Sequence, residues 1–253
     1  MRSKSNYLLM MALVIFASCV NTKKITYFND TVTPGADSVN RLQQLKIQPG
    51  DILQITVTTF DKEISQIFNP NTAAAAGQTP GNGMDQGYLV DSSGYIAMPV
   101  IGKLYVKDKT TAGINELVTA ELSKTVRNVY VSTRLVNFRV SVLGDVARPG
   151  SFRIGGERAS VLDALSMAGD LNVTAKRNDV MVIREINGVK SYGNINLNDI
   201  NALSSPYYYL TNNDIIYVKP GPNKSFPSSR TIQLLPVITG IISLITTIVI
   251  LSK

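Results

Sequence analysis

Residues 51–59 read DILQITVTT, apolar and polar side chains in alternation and rich in β-branched types, the pattern of a strand with one buried face. Pro49-Gly50 punctuates the turn into it. The same period of two returns at 138–143 (FRVSVL), where Phe138, Val140 and Val142 alternate with polar neighbours. Between these, 88–106 (YLVDSSGYIAMPVIGKLYV) reads as short strands broken at 91–94 and at Gly102. The period then becomes helical over 110–126: Thr110 or Thr111 caps the segment, and Ile114, Leu117, Val118, Leu122 and Val126 share a face. Residues 69–87 follow neither period and are expected to form a long mobile loop.

A second cycle begins at 138. Arg148-Pro149-Gly150 makes a turn, and Ser160 opens a short helix, VLDALSMA, with Asp163 three places on as a capping partner and Gly169 suited to a left-handed end. Residues 180–186 and 189–197 flank Asn187-Gly188, a strong two-residue hairpin signal. Asn213-Asp214 precedes a last strand over 215–218. Strand, helix, hairpin, strand is the grammar of an α+β module with a helix packed on a small sheet.

The two ends differ from this middle. Arg2 and Lys4 form a basic start, 7–16 (YLLMMALVIF) is apolar, and Ala17-Ser18 supply small residues before Cys19. Ten apolar residues are too few to span a bilayer. The arrangement looks like a bacterial lipobox, which makes 1–18 a lipoprotein signal peptide and Cys19 the acylated first residue; the alternative is an ordinary signal peptide. Residues 19–44 are read as a polar tether. At the other end, 219–230 (KPGPNKSFPSSR) is a proline-rich linker, and 231–252 holds 22 residues without a charge. A helix of that length reaches ~33 Å against a hydrocarbon core of ~30 Å, so the segment is expected to be a transmembrane helix. Pro236, Gly240, Ser243 and Thr247 recur at spacings of 4, 3 and 4 and form a small, polar stripe suited to a helix–helix contact or a wet lumen. A monomeric anchor whose hydroxyls bond their own helix is the other reading.

Composition narrows the chemistry. The 253 residues contain no His, no Trp and one Cys. A neutral-pH imidazole base, an imidazole metal ligand and a Ser-His triad are therefore unavailable, as are an intrachain disulfide and a Cys/His zinc site. Binding, scaffolding or transport stands ahead of catalysis, and no cofactor is expected. Loss of 1–18 removes Arg2 and Lys4 from the 25 basic residues and leaves 23 against 18 acidic, a net +5. That mild excess, with no nucleic-acid motif, gives no reason to expect nucleic-acid binding.

IQPGDILQITV at 47–57 and LVDSSGYIAMPVIGKLYVKDKT at 89–110 resemble the polysaccharide export domain of the bacterial outer-membrane polysaccharide export family. VSVLGDVARPGSFRI at 140–154, followed by VLDALSMAGDL, resembles an SLBB β-grasp module, with Asp170 where a second glycine is common. The expected architecture is thus α+β: an export domain over 45–137, one β-grasp-like SLBB domain over 138–218, then the single C-terminal transmembrane helix. The resemblance implies an outer-membrane lipoprotein with its soluble domains in the periplasm. It implies a homo-oligomeric ring that passes capsule or exopolysaccharide and works with an inner-membrane polysaccharide copolymerase or tyrosine kinase. A membrane-anchored periplasmic adaptor retained at the inner membrane is the alternative, because an apolar C-terminal helix can stop during export.

Several polar residues carry two readings each. Asp51 and Asp145 each follow a glycine and suit turn hydrogen bonding more than catalysis. Tyr207, Tyr208 and Tyr209 suit core packing or sugar stacking. Arg134, Arg139, Arg148, Arg153 and Arg158 are candidates for contact with polymer or partner, against plain solvated charge.

Overall fold

A computed structural model describes residues 26–29, 45–69, 87–222, 224, 237, 239–241 and 243–244, the side chains of 62 and 64 excepted. The first domain opens with β1 (Ile52–Thr58), whose alternation sends Leu53, Ile55 and Val57 inward. It is central in a three-stranded antiparallel sheet of order β2-β1-β5, with β2 at Tyr88–Leu89 and β5 at Tyr130–Leu135. A two-stranded ribbon of β3 (Tyr95–Met98) and β4 (Gly102–Tyr105) stands beside it.

Helix α1 (Lys62–Phe68) is capped by Asp61, which accepts the Glu63 N–H at 2.9 Å. At two turns it is too short for an apolar period to announce it. Helix α2 (Thr111–Leu122) begins where expected, with the Thr110 hydroxyl accepting the Gly113 N–H at 3.1 Å. Ile114, Val118 and Leu122 pack against the sheet residues. It ends four residues short of the expected 126, although the Val126 N–H still reaches the Leu122 carbonyl at 2.8 Å.

The second domain is a five-stranded sheet of order β7-β6-β10-β8-β9. Its strands are β6 (Arg139–Gly144), β7 (Gly150–Arg153), β8 (Ala175–Ile186), β9 (Val189–Ile195) and β10 (Ile215–Pro220). Every pairing is antiparallel except β6 with β10, which run parallel although some seventy residues separate them. That closure forces a close approach at Gly144, where φ is +96° and a Cβ would sit 2.0 Å from the Val218 carbonyl oxygen. The β8–β9 turn has φ of +54° at Asn187 and +75° at Gly188, as the Asn-Gly pair predicts. Helix α3 (Val161–Met167) carries the full capping box between Ser160 and Asp163 and buries Val161, Ala164 and Leu165 in the core. The core lies between α3 and one sheet face, around Phe138, Val140, Val142, Val180, Val182 and Ile216.

One expectation is corrected. Among the described residues no helix is long and apolar enough to cross a membrane, so the fold is a mixed α/β arrangement of two domains without the expected C-terminal transmembrane helix. Among the described residues of this segment, 237, 239–241 and 243–244 are helical, and Val237, Ile241 and Leu244 are exposed. Apolar length alone does not make a span: a crossing needs about 20 continuous apolar helical residues, which the described residues do not contain. The signal peptide 1–18, Cys19, most of the 19–44 tether, the expected loop (70–86), Pro236 and Thr247 lie outside the described residues.

Candidate functional site

Asparagine side chains order the junction of the two domains, and one of them, Asn212, bonds across it. Asn137 accepts the Ile52 N–H at 2.9 Å and donates to the Gly50 carbonyl at 2.9 Å. Asn212, just before β10, donates to Asp51 at 2.7 Å and accepts the Arg139 N–H at 3.0 Å. The second Asp51 oxygen accepts the Gln48 N–H at 2.8 Å. Asp51 is buried there, and burial pushes its carboxyl above the ordinary value, only partly offset by the bonds from Asn212 and Gln48. Its role is to hold the turn and the junction, the bland reading of the Gly50-Asp51 pair.

This junction leaves a cleft of about 850 Å³ between the domains. Its floor is the outer face of the SLBB-side sheet, where Tyr192, Ile183 and Ile215 lie in one cross-strand row from β9 through β8 to β10. Lys46, Gln48 and Pro49 of the first domain form the facing wall. Asn212 and Asn213 close one end, and Lys190 and Glu185, 3.8 Å apart, stand at the other. The Tyr192 side chain is 62% exposed and offers an aromatic face to the opening.

On the second-domain side, Arg184 lines the cleft and belongs to a largely buried charged network. Asp214 is fully buried and accepts from Arg184 Nε at 3.1 Å and Nη2 at 2.8 Å, and from the Thr211 N–H and hydroxyl at 2.8 Å each. Arg184 also donates to the Tyr209 carbonyl at 2.7 Å, and its guanidinium lies 5.3 Å from the centre of the Tyr207 ring. Tyr207 in turn covers Gly193, where a Cβ would come within 2.1 Å of the ring. The segment 207–214 that lines the cleft is therefore clamped onto β8 and β9 by one arginine.

The three tyrosines divide their roles. Tyr208 is buried, and burial raises its hydroxyl above the ordinary range. Tyr207 packs against the core, and Tyr209 lines the cleft with Arg158 stacked 4.3 Å above its ring. Of the five arginines, the structure sets Arg139 and Arg153 directly opposite each other across β6 and β7 and stacks Arg158 on Tyr209. Arg148 instead donates to the Met167 carbonyl at 3.4 Å, and Arg134 sits on β5 opposite Gln54 in the other domain. They do not form one patch. Gly240 and Ser243 are both helical, while Pro236 and Thr247, the other members of the expected stripe, lie outside the described residues.

Gln48, Arg184, Tyr192, Asn212 and Asp214 were not read as site residues from the sequence. Only Asn213-Asp214 carried a signal, that of a turn before a strand. Among the described residues no group of three or more His, Cys, Asp and Glu is placed to hold a metal.

Comparison with known proteins follows this two-domain division. Residues 39–136 match the family described as "Polysaccharide biosynthesis/export protein", and residues 138–218 match the SLBB domain. The curated "EPS I polysaccharide export outer membrane protein EpsA" of Ralstonia solanacearum is 28% identical over 138 residues, 53% of this chain and 37% of the relative. The protein of the same name from Ralstonia nicotianae is 28% identical over 141 residues, 53% of this chain and 36% of the relative. The matched segment thus spans little more than a third of these relatives' length.

Proposed function

The chain belongs to the polysaccharide biosynthesis/export family, with an SLBB domain after its export domain, and from that premise we propose that it is a component of polysaccharide export at the outer membrane. It is an export component and not an enzyme. Copies assemble as a ring around the path of a capsule-type or exopolysaccharide chain, with the interdomain cleft turned toward the polymer.

The observation that carries this reading is the chemistry of the cleft. A sugar polymer presents hydroxyls and flat C–H faces. The cleft meets the first with the amides of Asn212 and Asn213, and the second with Tyr192 in one row with Ile183 and Ile215. About 850 Å³ falls within the range of small-molecule clefts, ~300–1,000 Å³, and so admits a short stretch of glycan at a time.

Cys19 is the acyl anchor that holds the chain to the membrane, with both domains on the periplasmic side. A lipobox cysteine is diacylated, and two acyl chains make the attachment stable where one would be only marginal. The sequence holds no G-x-x-x-x-G-K-[ST] loop. An inner-membrane polysaccharide copolymerase or tyrosine kinase provides the drive.

Two measurements test this. Deletion of the protein should abolish surface polysaccharide in the producing cells while polymer accumulates inside; undiminished secretion would end the proposal. Polysaccharide purified from those cells should bind the wild-type chain and bind at least about tenfold more weakly to a Tyr192→Ala, Asn213→Ala variant, from loss of stacking and amide contacts. Equal binding would remove the cleft from the polymer path.

A further inference from the structure

The loop from α3 to β8 holds two distant parts of the chain at once. On one side is the segment 26–29. The Tyr27 hydroxyl donates to Asp170, its ring lies 5.6 Å from the Arg177 guanidinium, and Tyr27 and Phe28 pack on the SLBB-side core. The Phe28 N–H donates to the Leu197 carbonyl at 3.1 Å and the Asn29 N–H to the Asn198 carbonyl at 2.7 Å. This stretch precedes the export domain in sequence yet docks on the domain that follows it. On the other side is the segment after β10. The Gly221 N–H donates to the Thr174 carbonyl at 2.7 Å, and Lys224 Nζ donates to the buried Asp145 at 2.8 Å.

The loop between these contacts is itself tightly tied. Buried Arg177 donates to the Leu171 and Asn172 carbonyls, each at 3.2 Å. The Asn172 amide donates to Asp145 at 2.9 Å and the Thr174 hydroxyl to Asp145 at 2.7 Å. Asp145 thus binds the loop and the C-terminal segment with one carboxylate, and Arg177 shapes the loop from below while facing Tyr27. Asp170 has φ of +73°, a left-handed conformation that glycine adopts freely and Asp only occasionally. Its carboxylate gives a reason for a side chain there, because a glycine has nothing to offer the Tyr27 hydroxyl.

We propose that the 170–174 loop is a clasp for the chain's own tails, holding the Tyr27–Asn29 segment through Asp170 and Arg177 and the residues Gly221 and Lys224 through Thr174 and Asp145, so that both depend on the same loop. Loosening the loop releases both tails, whereas a change at either contact releases one. The clasp stands independently of the export reading.

Amide hydrogen exchange on the full chain tests it. The Phe28 and Asn29 amides report the first tail, the Gly221 amide the second, and the Val140 and Val182 amides the core. Tyr27→Phe should speed exchange at 28 and 29 by about tenfold and leave 221 unchanged, as expected when one local closing contact is lost. Lys224→Met should do the reverse. Arg177→Gln should speed all three by about tenfold with the core amides unchanged. Asn172→Ala with Thr174→Val, which together remove the loop's side-chain bonds to Asp145 while leaving Arg177 in place, should give the same joint response if Arg177→Gln unfolds the domain. Response of a single tail to the loop variants overturns the proposal, and so does exchange that rises in the tails only together with the core.

Discussion

Replacing Asp214 with alanine leaves the Arg184 guanidinium in a site where its side chain is 12% exposed and its carboxylate partner is gone. Three of the N–H contacts that Arg184 makes, from Nε to both carboxylate oxygens and from Nη2 to Oδ2, lose their acceptor, as do the N–H and hydroxyl of Thr211. Breaking a buried pair by deleting one partner costs about 3–5 kcal/mol. The lower half of that range applies here, because the Tyr209 and Pro206 carbonyls at 2.7 and 3.3 Å still accept from the arginine. A loss of about 3 kcal/mol is a large share of the ~5–15 kcal/mol that stabilises a typical domain. With no Trp in the chain, urea unfolding at pH 7 followed by far-UV circular dichroism is the assay, read as a lower midpoint at unchanged slope. The double variant Arg184→Met, Asp214→Leu removes both charges and should recover at least half of the loss, because desolvating the pair offsets much of its attraction. A single-variant loss under about 1 kcal/mol would mean that the pair behaves as an exposed ion pair, and a double variant no better than the single would refute the stranded-charge argument.

Five further expectations follow from the same structure. Gly193→Ala places a methyl within 2.1 Å of the Tyr207 ring, so it should destabilise by about 1–3 kcal/mol through overpacking and alter the tyrosine near-UV signal. Gly144→Ala, which meets backbone at 2.0 Å with φ at +96°, should be worse, and a melting temperature equal to wild type in either case would contradict the close approaches. Burial alone would raise the Asp145 carboxyl, but bonds from Lys224, Asn172 and Thr174 and the Lys224 charge outweigh it, leaving it below its ordinary 3.8. Its contribution is therefore present above pH 3.8 and lost as pH falls through the folded value. Asp145→Asn should flatten that acid limb in denaturant midpoints. Asp51 is shifted the other way, above 3.8, so its contribution is full below 3.8 and is lost as pH rises through the folded value. Asp51→Asn should gain on wild type between pH 3.8 and 7, and a constant difference across that range would contradict the shift. Ser160→Ala removes the hydroxyl that accepts the Asp163 N–H at 3.2 Å and should cost about 1 kcal/mol in thermal or urea unfolding.

Much of the fold was legible where the signal is local. The alternation at β1 and β6, the Asn187-Gly188 turn and the Ser160–Asp163 cap are each fixed by residues within a few positions of one another, and each is present in the structure. Helix α1 escaped notice because two turns hold too few apolar positions to show a period, although Asp61 is a good cap. The 231–252 segment shows the opposite limit: apolar length is legible, but a bilayer crossing needs a continuous apolar helix, which the described residues do not contain. The five arginines show the same limit, since spacing along the chain does not tell that Arg139 and Arg153 meet across two strands while Arg134 lies in the other domain.

Family-level motifs around Gly50-Asp51 and Gly144-Asp145 were readable without coordinates, and so was the exclusion of imidazole and paired-thiol chemistry, because these depend only on which residues exist and in what order. The cleft, the Arg184–Asp214 clamp and the clasp on both tails depend on tertiary pairing. Asp51 meets Asn212 across 161 positions, and Tyr27 meets Asp170 across 143. Contacts at such separations are chosen by the packing of whole sheets, where the parallel closure of β10 on β6 carries 212–214 to the export domain and brings Gly221 and Lys224 to the loop. No periodicity within one segment encodes that choice, because the buried face it satisfies is supplied by another part of the chain.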